Sequence, residues 1–352
     1  MWKAFLYSEK ALLRLPQTSI RTPLRILENG LFKPNTSQAP YSKGIGFGGK
    51  GRGAIKFTPV EKEAEILVAT PIRKGQSLTR PFLFTVAFSG TCFAGSAIWE
   101  YENIRNRANA FKHSASDWFD RQFSWKKKGD FRSDLNKWWS SLSEGQKLFY
   151  GVLFLNTLVF LAWKVPAWQK VMMEYFCSNP LSRAVCWPLL FSTFSHYAFI
   201  HLAANMYVLH SFSRGVERTM GKEQLSAFYL SGGVISAFAS LAVKVLTNKP
   251  GSSLGASGAI MGILGYFCTV HSNSQLGIAF IPNFTFSADT GIKAIIFFDA
   301  LGLVLGWKLF DHAAHLGGAL FGIAWAYYGE NLVWGNRGII MKKWHQLRGD
   351  IK

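Results

Sequence analysis

Hydrophobic residues in this chain come in long blocks rather than in the short alternations of a soluble domain. The first block, residues 81–99 (PFLFTVAFSGTCFAGSAIW), sits between Arg80 and Glu100 and is long enough for a helix that crosses a membrane. Residues 101–147 are charged and carry Trp118, Trp138 and Trp139, a pattern that predicts amphipathic helices or loop at a bilayer surface. A second block, 148–165, ends at Pro166, with Lys164 placed to reach back to the interface. Residues 166–195 are too interrupted by proline for a span and too apolar for a solvated loop, so they are expected to dip into the interface. Five more blocks follow at 196–212, 225–246, 257–270, 291–309 and 312–328. The predicted fold class is therefore an all-α polytopic membrane protein with seven spans. An odd count puts the termini on opposite sides, and the basic tail before residue 81 favours the charge-retaining side, the matrix if targeting is mitochondrial.

Composition agrees with that pattern. Only 17% of the 352 residues are charged, against roughly a quarter in soluble domains, while 30 Phe and 13 Trp add apolar bulk and interface anchors. The net charge of +19 raises a nucleic-acid partner, but the basic residues lie outside the apolar blocks rather than on one face with aromatic platforms, so none is expected. Residues 1–60 hold ten Lys or Arg against Glu9 and Glu28 only, with Ser and Thr between them. Residues 1–80 therefore read as a mitochondrial-type targeting segment and basic tail, with a disordered basic tail as the plainer alternative and a Gly-rich linker over 43–53. Residues 331–352 read as a basic C-terminal tail. Cys92, Cys177, Cys186 and Cys268 form no C-x-x-C pair, which argues against a zinc site. Cys177 and Cys186 share one loop, and the sequence leaves open whether they pair.

Chemistry enters at Gly255-Ala256-Ser257-Gly258, which follows a Pro- and Gly-rich loop and opens an apolar block. Ser257 is thus expected at a helix N-terminus, where unpaired N–H groups and positive partial charge favour an oxyanion. Alone the tetrapeptide is weak, since small residues often serve only helix packing. The run from Asp311 to Gly318 (DHAAHLGG) supplies a base in another apolar block. His315 lies deeper than His312, which reads as a cap or solvated residue beside Asp311. Ser257 and Gly258 can face His315 and Gly318 if the helices cross closely, with Gly262 and Gly322 continuing both small-residue faces. His201 and Asn205 are four apart and share a helix face, suited either to an oxyanion hole or to a helix–helix hydrogen bond.

Taken together, GASG, AHLGG and HYAFIHLAANMY resemble the rhomboid intramembrane serine proteases, in which H-x4-H-x3-N precedes G-x-S-G and a last span carries the histidine. His196, His201, Asn205, Ser257 and His315 fall in that order. The resemblance implies a six-span core over 148–330, and the extra helix over 81–100 with the basic presequence resembles the family's mitochondrial branch. It further implies a Ser257–His315 dyad with no cofactor, and an oxyanion held by His201, Asn205 and the backbone at Ser257 and Ala256. His196, Glu217, Gly255, Gly258, Gly262, Gly318 and Gly322 are implied as structural support, Glu217 by pinning a loop. The implied substrates are single-spanning membrane proteins, met in the bilayer of the mitochondrial inner membrane. The chain departs from the family where Met261 replaces a tyrosine that stacks on the histidine, and where Trp187-Pro188 replaces Trp-Arg.

Competing classes fit less well. H-E-x-x-H is absent, which disfavours a zinc protease. Asp299 lies in an apolar block without a second aspartate to form an aspartyl protease, and reads as a packing or interface residue. A transporter lacks paired broken helices. The remaining alternative is a catalytically inactive relative that binds membrane helices.

Overall fold

The computed structural model describes residues 77–121, 131–277, 283–307 and 310–350, without the side chains of 111–121 or Asp350. The targeting segment and the linker over 43–53 lie outside the described residues.

The chain is mostly helical. Helix α1, Thr79–Arg121, runs 43 residues, about 65 Å, through the first apolar block and on past it. The expected break near residue 100 is absent because nothing in WEYENIRNRANAF forbids a helix: its backbone bonds are internal and need no apolar side chains. Helix α2, Phe131–Ser141, leaves Phe131, Leu135, Trp138 and Trp139 exposed. Helix α3, Glu144–Ala162, starts in a capping box between Ser143 and Gln146. The 166–195 segment folds into a 3₁₀ turn (Pro166–Trp168), α4 (Gln169–Tyr175), α5 (Trp187–Phe191) and a second 3₁₀ turn (Ser192–Phe194). Trp187 and Pro188 open α5, and Trp187 stacks on Phe191 with its edge against Phe84 of α1, so this loop is anchored on the extra helix.

Helix α6 is Phe199–Met220 and α7 is Lys222–Leu246, joined at Gly221, whose φ of +79° suits a residue without a Cβ. His196 therefore lies in the segment before α6 rather than inside a span. Glu217, expected in a loop, lies on α6 one turn before its end, and its Cβ sits against Gly145 of α3. Helix α8, Ser257–Val270, is followed by a small antiparallel hairpin, β1 (Gln275–Gly277) with β2 (Thr285–Ser287), an exception to the all-α expectation. Helix α9, Ala288–Leu305, ends at Gly306 in the left-handed conformation. Helix α10, His312–Ala324, continues as a π helix over Trp325–Trp334. Residues read as a basic tail form helix α11, Gly338–Asp350, which bonds back to α1 through Trp344 and Arg348 to Glu102, while Arg337 just before it bonds Glu100.

Among the described residues, three helices are both long and apolar enough to cross a membrane: the Thr79–Ala110 part of α1, α3 and α7. Helix α8 occupies the centre, packed by α6, α7, α9 and α10, with Ile263 fully buried. Its contact with α10 is backbone on backbone. A Cβ at Gly318 would overlap the Gly258 carbonyl oxygen, one at Gly322 the Gly262 carbonyl, and one at Gly265 the Ala319 carbonyl. This is the close crossing that small residues permit between membrane helices.

Candidate active site

Two loops deliver Ser257 to the first position of α8. Ser178 and Ser253 exchange backbone bonds of 2.8 and 2.9 Å, and the Gly255 N–H donates to the Ser192 carbonyl at 2.8 Å. Gly255 has φ +128°, and a side chain there would meet the His201 ring at 2.8 Å, so glycine is required twice over. One turn into α10, the His315 ring points across the glycine seam, and the Ser257 hydroxyl lies 3.0 Å from its Nε2. The helix that carries this ring is fixed at its start by Asp311, which caps it by accepting from the Ala314 N–H at 3.0 Å. The other Asp311 oxygen bonds Ser240 and Ser253 and pairs with Lys244 at 3.3 Å. Burial alone would push the Asp311 carboxyl up, but Lys244 and these hydrogen bonds prevail and hold it at about 2.

Behind His315 stands a carboxylate. Asp299 of α9 is 2% exposed and its Oδ1 lies 3.3 Å from His315 Nδ1 and 2.6 Å from His312 Nδ1. His312, read from the sequence as a cap or solvated residue, is 3% exposed, and Asp299 is more than a packing residue. This arrangement fits a His315 tautomer with the proton on Nδ1 toward Asp299 and Nε2 accepting from Ser257. The aromatic neighbour of His315 is Phe310, with ring centroids 5.9 Å apart, while Met261 packs into the core between α8 and α10.

The third group centres on His196, which is fully buried. Its Nε2 accepts from the Asn205 side-chain amide at 2.8 Å and from the Ala256 N–H at 3.3 Å. Ala256 was expected as an oxyanion donor; here its N–H is directed at His196 instead. Asn205 keeps a second amide hydrogen, and His201 lies edge-on to His196 at 5.0 Å and against Gly255. Gly258, Gly318 and Gly322 form the tight part of the seam, whereas a Cβ at Gly262 would find ordinary contacts of 3.5–3.7 Å. Glu217 lies on the α3 side of α6, away from this cluster. Cys177 and Cys186 are both free thiols, as are Cys92 and Cys268, which settles their pairing.

Asp299 and His312 escaped the sequence reading of the site. Their signal was present: a carboxylate inside an apolar block needs a partner, and Gly302, one turn on, clears the space that the His312 ring fills.

The Rhomboid domain matches residues 183–331. Over 291 residues the chain is 50% identical to Presenilin-associated rhomboid-like protein, mitochondrial, of Homo sapiens, covering 82% of this chain and 76% of that one. Presenilin-associated rhomboid-like protein A, mitochondrial, of Danio rerio is 43% identical over 296 residues, with 79% and 77% covered. Rhomboid protein 1, mitochondrial, of Saccharomyces cerevisiae is 30% identical over 185 residues, 52% of this chain and 53% of its own. The chain belongs to the rhomboid family of intramembrane serine proteases. It is a mitochondrial membrane enzyme whose substrates are membrane proteins.

Proposed function

We propose that Ser257 is the nucleophile and His315 the general base of a protease that cuts single-spanning proteins of the mitochondrial inner membrane in or near their transmembrane helices. The observation that carries this reading is the 3.0 Å contact between the Ser257 hydroxyl and His315 Nε2, formed by two helices whose backbones touch. His315 takes the hydroxyl proton as Ser257 attacks the peptide carbonyl, then gives it to the leaving amine; water repeats the sequence on the acyl-enzyme. The Ser257 N–H, without an intrahelical acceptor, together with the free Asn205 amide hydrogen and His201, faces the developing oxyanion. His196, holding Asn205 and Ala256, orients that group. Asp299 holds the His315 tautomer and stabilises the imidazolium as it forms.

Seven spans accommodate this site. Helices α1, α3 and α7 are long and apolar enough to cross, and α6, α8, α9 and α10 with its π extension complete the set in this reading. Fourteen residues of α8 rise about 21 Å, less than the ~30 Å of hydrocarbon, which suits a Ser257 placed below the membrane surface, where deacylation requires that water reach it.

The test is cleavage of a single-span substrate in vesicles by the wild type, Ser257→Ala and His315→Ala, each checked for folding. Loss of at least about 10⁴-fold in both variants is expected. Unchanged cleavage in either variant overturns the assignment, and a folded, inactive wild type favours the helix-binding relative.

A further inference from the structure

We infer that His312 is a positioning residue for proteolysis, acting on His315 through Asp299. The inference rests on the dyad proposed above and adds a residue outside it. One carboxylate oxygen, Asp299 Oδ1, receives both imidazoles, and the shorter bond, 2.6 Å against 3.3 Å, belongs to the histidine that does not touch Ser257. A carboxylate held only by the longer bond would be free to turn about its side-chain torsions. The His312 N–H removes that freedom and fixes Oδ1 where His315 Nδ1 meets it.

His312 is itself tightly held. It is the first residue of α10, directly after the Asp311 cap, and lies three residues before His315 on the same rigid helix. Its ring fills the space over Gly302, where any side chain would collide with it, and lies among Phe298, Trp307 and Phe310 at centroid distances of 5.7, 6.1 and 6.1 Å. Only one of its nitrogens is used: His312 Nε2 is buried without a hydrogen-bond partner among the described residues. A packing role would be served as well by an apolar residue of this size, and would not leave a buried nitrogen unpaired. The feature that distinguishes histidine here is the Nδ1–H, given to the oxygen that His315 also uses.

The side-chain nitrogen of asparagine can stand where Nδ1 stands in histidine, glutamine carries its nitrogen one carbon further out, and leucine keeps the branching with no donor. Full-length wild type, His312→Asn, His312→Gln, His312→Leu, Asp299→Ala and the His312→Leu/Asp299→Ala double variant are reconstituted in vesicles. Each is assayed for kcat and KM on one single-span substrate and for thermal unfolding. His312→Leu and His312→Gln are expected to lower kcat about tenfold with KM unchanged, His312→Asn to stay within about twofold of wild type, and the double variant to be no slower than Asp299→Ala alone. The inference is overturned by full kcat in a folded His312→Leu, by equal kcat in the Asn and Gln variants, or by losses that multiply in the double variant. If leucine prevents folding, the Asn–Gln comparison decides alone. Cleavage that survives His315→Ala overturns the dyad instead, so the two failures are separable.

Discussion

Two seams hold helices together in this molecule by different means. Between α8 and α10 the closest approaches are of glycine to backbone carbonyl, and the fit there depends on shape. Between α1 and its partners the contact is made by large and charged groups. Phe93 stacks on Trp325 with centroids 4.2 Å apart, Arg337 reaches Glu100 and Arg348 reaches Glu102, the two ion pairs being partly exposed. Long side chains can re-pack after a change, whereas a backbone contact cannot. The seam without slack is the one that sets the distance between Ser257 and His315.

That contrast yields graded expectations. Gly318→Ala, which drives a methyl into the Gly258 carbonyl, is expected to displace His315 by a fraction of an ångström or more and cost about 10²-fold in kcat/KM, measured on a reconstituted substrate. Residual activity near wild type would mean that the seam gives more than its geometry suggests. Asp299→Asn keeps the shape but loses the charge behind His315; its kcat should fall about tenfold while KM holds. Glu102→Gln, on the other seam, should leave thermal unfolding close to that of the wild type and kcat unchanged, as partly exposed ion pairs contribute little. A large loss of activity there would show that the α1–α11 clasp reaches the site. Smallest of all, Gly262→Ala should be silent, because its Cβ finds only contacts of 3.5 Å and beyond. The Gly318 and Gly262 variants differ by position alone, and equal effects would remove the distinction between tight and slack places within one seam.

Much of the architecture was legible because apolar blocks and helices coincide wherever a helix must satisfy its own backbone in lipid. The ends of helices were less legible. Helix α1 outruns its apolar block because leaving lipid does not end a helix, and α6 starts three residues after His196 because a bend at 197–198, with Ala198 extended, intervenes. At the site, the small residues around Ser257 and His315 were enough to expect two helices in close contact. The expectation of a pair without a third group came from the resemblance, and Asp299 belongs to another helix, so its approach to His315 is a property of tertiary packing. The same holds for His312. Depth in the sequence ranked it below His315, yet both rings are buried because α9 covers them. Ala256 could be placed beside the nucleophile from the sequence, but the direction of its N–H depends on where His196 folds.

The glycine seam also orders events in time. Ser257 is synthesised 58 residues before His315, the ring on α10 that its hydroxyl meets. Until α10 is laid against α8, Ser257 lacks its His315 neighbour, and on the proposed dyad the chain would be unable to cut. On that proposal, docking of α10 is the step that completes the active site.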